Sequence, residues 1–213
     1  MQTTDKNKIF VKICGITRLE DALFAAASGA DAIGFIAYPK SPRYIPPEKV
    51  SQITGSLKAG IRRVAVFVNP GLDEISAYVA AGADVVQLHG DETAEFAEQA
   101  AKFAEVWKAI RPKTRDDVLK FMDFPAYRLL VDSFHEKEYG GTGIAADWNL
   151  AKFAVETLKS PVILAGGINP ENVAAALKAV RPSGMDLSSG VESSPGIKDH
   201  GKIGKLFEEI KKT

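Results

Sequence analysis

Eight short runs of apolar, largely β-branched residues recur along this 213-residue chain, and stretches with helical spacing separate them. The runs cover residues 9–13, 33–36, 64–68, 85–88, 106–110, 129–131, 162–164 and 185–187. Their starts are 21 to 33 residues apart, which leaves room for one crossover helix after each strand. Continuously apolar strands are typical of a parallel sheet whose two faces are both buried. The pattern predicts an α/β fold, a (β/α)8 TIM barrel of eight parallel strands inside a ring of helices.

No linker or break in composition interrupts the pattern, so residues 1–213 are expected to form a single (β/α)8-barrel domain. An open, doubly wound sheet is the structural alternative. Such sheets often carry a G-x-G-x-x-G turn after the first strand, whereas residues 14–17 here read Cys-Gly-Ile-Thr. Two helix starts have local signals: Thr17 and Glu20 are spaced as a capping box, and Asn169 precedes a proline as an N-cap would.

Charge and composition exclude several kinds of partner. Lysine plus arginine and aspartate plus glutamate both number 27, so no bulk field attracts nucleic acid or an anionic membrane. Residues 1–8 are polar, and no run approaches the roughly 18 apolar residues of a membrane span. We therefore expect a cytoplasmic protein with no nucleic-acid and no membrane partner. The single cysteine excludes an internal disulfide, and a reducing compartment would keep it a free thiol.

Two reactive residues follow predicted strands at the end where barrel enzymes carry their active sites. Cys14 follows the first run, and its thiolate could act as a general base, although a free cysteine is often only a small buried core residue. Asp132 follows the sixth run, where a protonated carboxyl could act as a general acid or an aspartate could simply turn the chain. Their joint occurrence at strand ends favours a catalytic pair.

Glycine-containing loops follow the seventh and eighth runs and predict a phosphate site. Gly166 and Gly167 lie in the first loop, and Ser188, Ser189 and Gly190 lie in the second. Glycines let phosphate oxygens approach backbone N–H groups, and the last two loops of a barrel are a frequent phosphate site. Glycine after a strand is otherwise an ordinary turn signal, but its presence in both loops favours a functional role.

Three further features surround the predicted barrel mouth. Arg43, in the proline-containing loop after the second run, could clamp a substrate carboxylate through its planar guanidinium or could simply be solvated. His89 follows the fourth run and is expected to shape or polarise the mouth. His135 and His200 have no metal-ligand spacing with it, so no metal site is expected. Residues 140–143, Gly-Gly-Thr-Gly, predict either a lid or a mobile surface loop.

Seven short motifs at these strand ends resemble those of the phosphoribosylanthranilate isomerases. The motifs are Lys12-Ile13-Cys14-Gly15, Ser41-Pro42-Arg43-Tyr44, Val66-Phe67-Val68-Asn69, Gln87-Leu88-His89-Gly90, Leu130-Val131-Asp132-Ser133, Gly140-Gly141-Thr142-Gly143 and Ser188-Ser189-Gly190-Val191-Glu192. Their order and their placement at strand ends extend the resemblance from the first strand to the eighth loop. One departure is Ala146, because the family usually has an aromatic residue just before the Asp-Trp pair of the sixth loop.

The resemblance implies a cofactor-free Amadori rearrangement of N-(5-phosphoribosyl)anthranilate to 1-(o-carboxyphenylamino)-1-deoxyribulose 5-phosphate in tryptophan biosynthesis. It makes Asp132 the acid that opens the ribose ring and Cys14 the base that removes a proton from the second sugar carbon. Gly167, Ser189 and Gly190 would hold the phosphate, and Arg43 would hold the anthranilate carboxylate. The partner implied is this small phosphosugar, with a monomeric or homodimeric protein.

Other barrels that bind phosphosugars are the alternatives from the sequence. An indole-glycerol-phosphate synthase would need a catalytic lysine, for which Lys108 is the only well-placed strand lysine, and a sugar-phosphate epimerase would need a metal site. A different class is a non-catalytic phosphosugar-binding barrel that regulates or scaffolds a partner. The presence of both Cys14 and Asp132 argues against that class, although fold alone never proves activity.

Overall fold

A computed structural model of the chain describes residues 9–132 and 148–213. Eight of the strands in these ranges form the barrel: β1 Phe10–Ile13, β2 Ala32–Ile36, β3 Arg62–Phe67, β4 Val85–Leu88, β5 Glu105–Ile110, β6 Arg128–Asp132, β7 Val162–Ala165 and β8 Gly184–Leu187. They close into one barrel in chain order, and every neighbouring pair is parallel, including β8 with β1. The predicted (β/α)8 barrel is confirmed, and each predicted run overlaps the strand expected there.

Helices cover the outside of the barrel. They are α1 Leu19–Ser28, α2 Pro47–Thr54, α3 Leu72–Ala80, α4 Ala94–Ala100, α5 Arg115–Leu119, α6 Trp148–Thr157, α7 Val173–Val180 and α8 His200–Lys211. Between β8 and α8 lie a 3-10 turn, Ser189–Val191, and a small hairpin of β9 Glu192–Ser194 and β10 Ile197–Lys198. No helix within the described ranges is long and apolar enough to cross a membrane.

The two capping predictions fared differently. The capping box at Thr17 is wrong: α1 has Arg18 at its N-cap with no side-chain cap bond. The Thr17 hydroxyl instead donates to the Gly196 carbonyl at 2.5 Å, because the β9–β10 hairpin packs over this end of the helix. Asn169 does cap a turn, accepting from the N–H of Glu171 and Asn172, but α7 itself begins later.

Side chains alternate along each strand between the barrel interior and the outer core. The parallel register stacks the inward residues in layers of four, drawn from alternate strands. From mid-barrel toward the carboxyl ends of the strands, the layers are Lys12, Val64, Trp107 and Ile163; Gly34, Gln87, Leu130 and Asp186; Cys14, Val66, Ala109 and Ala165; and Ile36, His89, Asp132 and Ser188. The upper three layers therefore combine apolar side chains with the polar side chains of Gln87, Asp186, His89, Asp132 and Ser188.

Candidate active site

Cys14 lies at the carboxyl end of β1, with its side chain inside the barrel and only 6% exposed. Gly34 on the neighbouring strand makes room for it, since a Cβ on Gly34 would lie 2.8 Å from the Cys14 Sγ. This Cβ position on Gly34 would also lie 3.0 Å from the Lys12 Cε. The thiol and the lysine side chain therefore share a space that only glycine leaves open.

Lys12 is a fully buried cation beside this thiol, and sequence analysis assigned it no role. Its ammonium donates to both carboxylate oxygens of Asp186, at 3.0 and 2.9 Å. Burial alone would lower the pKa of Lys12, but Asp186 and Cys14 raise it above its ordinary value. The lysine therefore stays charged. The signal that could have identified it is the alternation Phe10, Lys12, Cys14, which puts all three side chains on the inner face of β1.

The charges around Cys14 have opposing effects on its ionisation. Burial raises the pKa of the Cys14 thiol, and Asp186 raises it further, whereas Lys12 and Lys198 lower it. Burial is the largest effect, so the net pKa lies above the usual thiol value. The nearby cations nevertheless favour the thiolate, which is the form that can accept a proton.

Asp132 ends β6, three strands from Cys14 around the barrel, and its side chain is partly exposed at the mouth. Its Oδ2 is 3.7 Å from the His89 Nε2 and 3.6 Å from the Nε of Arg111, an exposed arginine at the end of β5. The His89 Nε2 is buried and has no hydrogen-bond partner within the described ranges. The predicted acid and the predicted polarising histidine are thus neighbours.

Arg43 reaches from the β2 loop over the turn that follows Cys14. A Cβ on Gly15 would lie 2.7 Å from the Arg43 Cδ and 3.0 Å from the Ser188 Oγ, so these three residues meet at one side of the mouth. The Arg43 guanidinium donates to both carboxylate oxygens of Glu192, through Nε at 2.9 and 3.0 Å and through Nη2 at 2.7 Å. The arginine is therefore held in one orientation rather than solvated.

Glu192 is a second residue that sequence analysis left without a role. Its side chain is 4% exposed and also accepts from the Lys198 Nζ at 2.8 Å and the Gly196 N–H at 3.3 Å. Burial would raise the pKa of Glu192, but Arg43 and Lys198 lower it below its ordinary value. A buried carboxylate thus links the β2 loop to the hairpin after β8, which are 149 positions apart in sequence.

The two predicted phosphate loops are in contact at the carboxyl end of the barrel. Gly166 and Gly167 both have left-handed backbone conformations, with φ of 87° and 67°. A Cβ on Gly190 would collide with the Ile168 carbonyl, so the loop after β8 lies directly against the loop after β7. Gly167 and Ser189 are exposed at the loop tips, and the Ser188 Oγ is buried without a hydrogen-bond partner in the part of the chain described.

Comparisons with known proteins agree with this geometry. Residues 11–209 match the family model for N-(5'phosphoribosyl)anthranilate (PRA) isomerase. The chain belongs to this isomerase family. The N-(5'-phosphoribosyl)anthranilate isomerase of Geotalea uraniireducens is 44% identical over 202 residues, covering 94% of this chain and 98% of that protein.

Two solved structures show the same architecture. A phosphoribosyl anthranilate isomerase in complex with reduced 1-(o-carboxyphenylamino)-1-deoxyribulose 5-phosphate aligns with a TM-score of 0.86 at 39% identity. Monomers generated from the dimeric isomerase of Thermotoga maritima align with a TM-score of 0.84 at 39% identity. Each alignment covers 97% of this chain and 100% of the other.

The strand lysines Lys12 and Lys108 differ in the direction of their side chains. Lys108, the strand lysine singled out from the sequence, points away from the barrel interior, because its neighbours Trp107 and Ala109 face inward. Its ammonium binds the Gly90 carbonyl at 2.7 Å and Glu92 at 2.9 Å. Lys108 therefore supports the β4 loop, and the inward lysine of this isomerase family member is Lys12.

The remaining predictions concern metals and the sixth loop. No group of three or more histidine, cysteine, aspartate or glutamate side chains is arranged for a metal among residues 9–132 and 148–213. The predicted lid at residues 140–143, the histidine at 135 and the Ala146 departure from the isomerase pattern lie outside the described residues.

Proposed function

We propose that the chain catalyses the rearrangement of N-(5-phosphoribosyl)anthranilate to 1-(o-carboxyphenylamino)-1-deoxyribulose 5-phosphate, a step of tryptophan biosynthesis. The observation that carries the proposal is the placement of Cys14 and Asp132 at the mouth of a barrel that belongs to this isomerase family. The reduced product analogue bound by a relative has the carbon skeleton, the carboxylate and the phosphate that this reaction requires.

In this mechanism Asp132 gives a proton to the ribose ring oxygen, and the bond between that oxygen and the first sugar carbon breaks. The nitrogen lone pair forms the iminium that results. Cys14, as thiolate, then removes the proton from the second carbon, and the electron pair moves into the iminium to give an enolamine. Tautomerisation of the enolamine to the ketone completes the isomerisation, and the substrate has no net gain or loss of protons. The iminium serves as the electron sink for the deprotonation step.

Binding is assigned to the two ends of the substrate. The phosphate is placed at the loops of Gly166, Gly167, Ser188, Ser189 and Gly190, where backbone N–H groups can donate to its oxygens. The anthranilate carboxylate is placed against Arg43, which Glu192 holds over the turn after Cys14. His89 is given a supporting role beside Asp132. With both ends bound, the reacting carbons lie between the base and the acid.

The direct test is turnover of freshly generated phosphoribosylanthranilate, followed by the loss of anthranilate fluorescence. We expect turnover by the purified chain without added metal or cofactor. A folded protein that binds the reduced product analogue but shows no turnover at any pH would contradict the isomerase proposal. It would favour the phosphosugar-binding scaffold instead.

Replacing Lys12 with glutamine is expected to shift the ionisation of Cys14 to higher pH, because the cation that favours the thiolate is lost. Since the base must be ionised to accept a proton, the acidic limb of the kcat/KM profile should move upward in pH as well. Ultraviolet absorbance of the thiolate reports the titration directly, because Cys14 is the only cysteine.

The matched control for this variant is Lys12→Arg, which keeps a cation at the same position. Glutamine can still donate to Asp186, so the loss of charge is tested without leaving the carboxylate unpaired. A Lys12→Gln protein whose thiol titrates and reacts as the wild type does would show that Lys12 has no influence on the base.

Replacing Glu192 with glutamine is expected to raise KM about tenfold with little change in kcat. The variant removes the charge that orients Arg43, and hydrogen bonds to charged groups contribute about 1.5–3 kcal/mol. Steady-state kinetics separate the two constants. Glu156→Gln, the same change at an exposed position of α6, is the control, and an unaltered KM in Glu192→Gln would refute the positioning role.

Assembly and location are also proposed here. We propose that residues 1–213 form one domain and that the protein is a monomer or a homodimer, as the Thermotoga maritima relative is dimeric. A reducing, cytoplasmic setting suits the chemistry, because the sole cysteine must remain a free thiol.

A further inference from the structure

Gln87 is a buried amide in the barrel interior that the proposed mechanism does not use. It lies on β4, only 1% exposed, and its inward direction follows from Val85, two residues earlier, which packs in the interior cluster. Neither its Oε1 nor its Nε2 has a hydrogen-bond partner among the residues described. Folded proteins rarely leave such groups unpaired, because each costs about 1–3 kcal/mol.

The residues next to Gln87 in the barrel are either apolar or hydrogen-bonded to other residues. In the register, its strand neighbours are Val66, which is apolar, and Trp107, whose indole N–H donates to Glu105 at 2.7 Å. Asp186, in the same layer, accepts from Lys12. Nothing in these contacts explains why a polar side chain occupies this position of the barrel.

Unpaired buried polar atoms concentrate on one side of the molecule. Of the seven such atoms in the described ranges, four belong to Gln87, His89 and Ser188. All three residues face inward in the upper layers of the barrel, around the mouth that holds Cys14 and Asp132. Gln87 lies deepest of the three, one layer below Cys14, so it forms part of the floor of the site.

We propose that Gln87 binds a hydroxyl of the substrate's sugar chain, at or next to the carbon that loses its proton. A hydroxyl both donates and accepts, which matches the carbonyl and NH2 of one amide. This contact sets how deep the sugar chain enters the barrel and so holds the reacting C–H against Cys14. The proposal rests on the proposed function, since it assigns a further binding residue for the same reaction.

The test is Gln87→Met, which keeps an unbranched side chain of similar length and removes the amide. We expect kcat/KM to fall about tenfold to a hundredfold, as for the loss of one or two buried hydrogen bonds to a substrate hydroxyl. We expect the Tm in the absence of ligand to stay the same or rise, because the variant no longer buries an unpaired amide. Leu130→Met, in the same layer, is the control for a change of shape alone.

Two outcomes would overturn the assignment. Unchanged kcat/KM in Gln87→Met would mean that the amide is satisfied by water and not by substrate. A lower Tm together with full activity of the folded fraction would mean that Gln87 has a structural role only. Calorimetric binding of the reduced product analogue separates this test from the proposed function. Wild type that binds the analogue without turnover would refute the isomerase activity, while weaker binding by Gln87→Met would still support the contact.

Discussion

Replacing Cys14 with serine is expected to lower kcat/KM by about two to four orders of magnitude, the contribution typical of a positioned general base. A serine hydroxyl fits the space beside Gly34 but does not ionise in the range where Lys12 and Lys198 stabilise a thiolate. Because the pKa of the thiol is raised by burial, wild-type activity should increase with pH from neutrality toward the thiol pKa. The measurement is the pH profile of kcat/KM for both proteins.

Cys14→Ala is the companion variant, since it removes the base without introducing a hydroxyl. Both variants should retain the wild-type Tm within a few degrees, because each makes the buried side chain only slightly smaller. If either variant keeps more than a tenth of the wild-type activity, another group removes the proton, and the assignment of Cys14 as base is wrong.

Replacing Asp132 with asparagine is expected to lower kcat/KM by about two to four orders of magnitude as well. The amide has nearly the same shape but cannot give a proton to the ring oxygen, so binding of the reduced product analogue should be largely retained. The expected signature is therefore a loss in kcat with a much smaller change in analogue affinity. Stopped-flow turnover and calorimetry measure the two quantities separately.

Asp123→Asn provides the matched control for that experiment, because Asp123 is an exposed aspartate whose partner among the described residues is the exposed Lys159, at 2.6 Å. It should leave turnover unaltered. An Asp132→Asn enzyme within tenfold of the wild type would move the acid to another residue. His89, whose Nε2 is 3.7 Å from the same carboxylate, would be tested next.

The fold was predictable because strand and helix signals are local. All eight runs are strands of the barrel, although β3 begins at Arg62, two residues before its apolar run. The two arginines at that end, Arg62 and Arg63, are half-buried and form ion pairs with Glu105 and Asp84, so hydrophobicity alone could not mark the start. The prediction of a capping box at Thr17 was wrong because of a long-range contact. The Thr17 hydroxyl binds a carbonyl of a hairpin that lies 179 positions away in sequence. Local spacing contains no information about such a contact.

The grouping of the residues at the strand ends was predictable from the topology of the barrel. In a parallel barrel every strand ends at the same face, so Cys14, Asp132 and the two glycine loops are placed together by topology alone. The partners of these residues were not predictable. Lys12 binds Asp186 across the closure of β1 and β8, and Arg43 binds Glu192 between two distant loops.

The barrel, the end of it that carries the chemistry and the residue types gathered there could therefore be predicted from the amino-acid order, because periodicity and strand order are properties of the chain. Three-dimensional packing was needed to show which charges neutralise one another, that Lys108 points outward while Lys12 points inward, and that Gln87 is buried without a hydrogen-bond partner among residues 9–132 and 148–213. Those features depend on distances of a few ångströms between segments far apart in sequence. Strand register and side-chain packing set these distances.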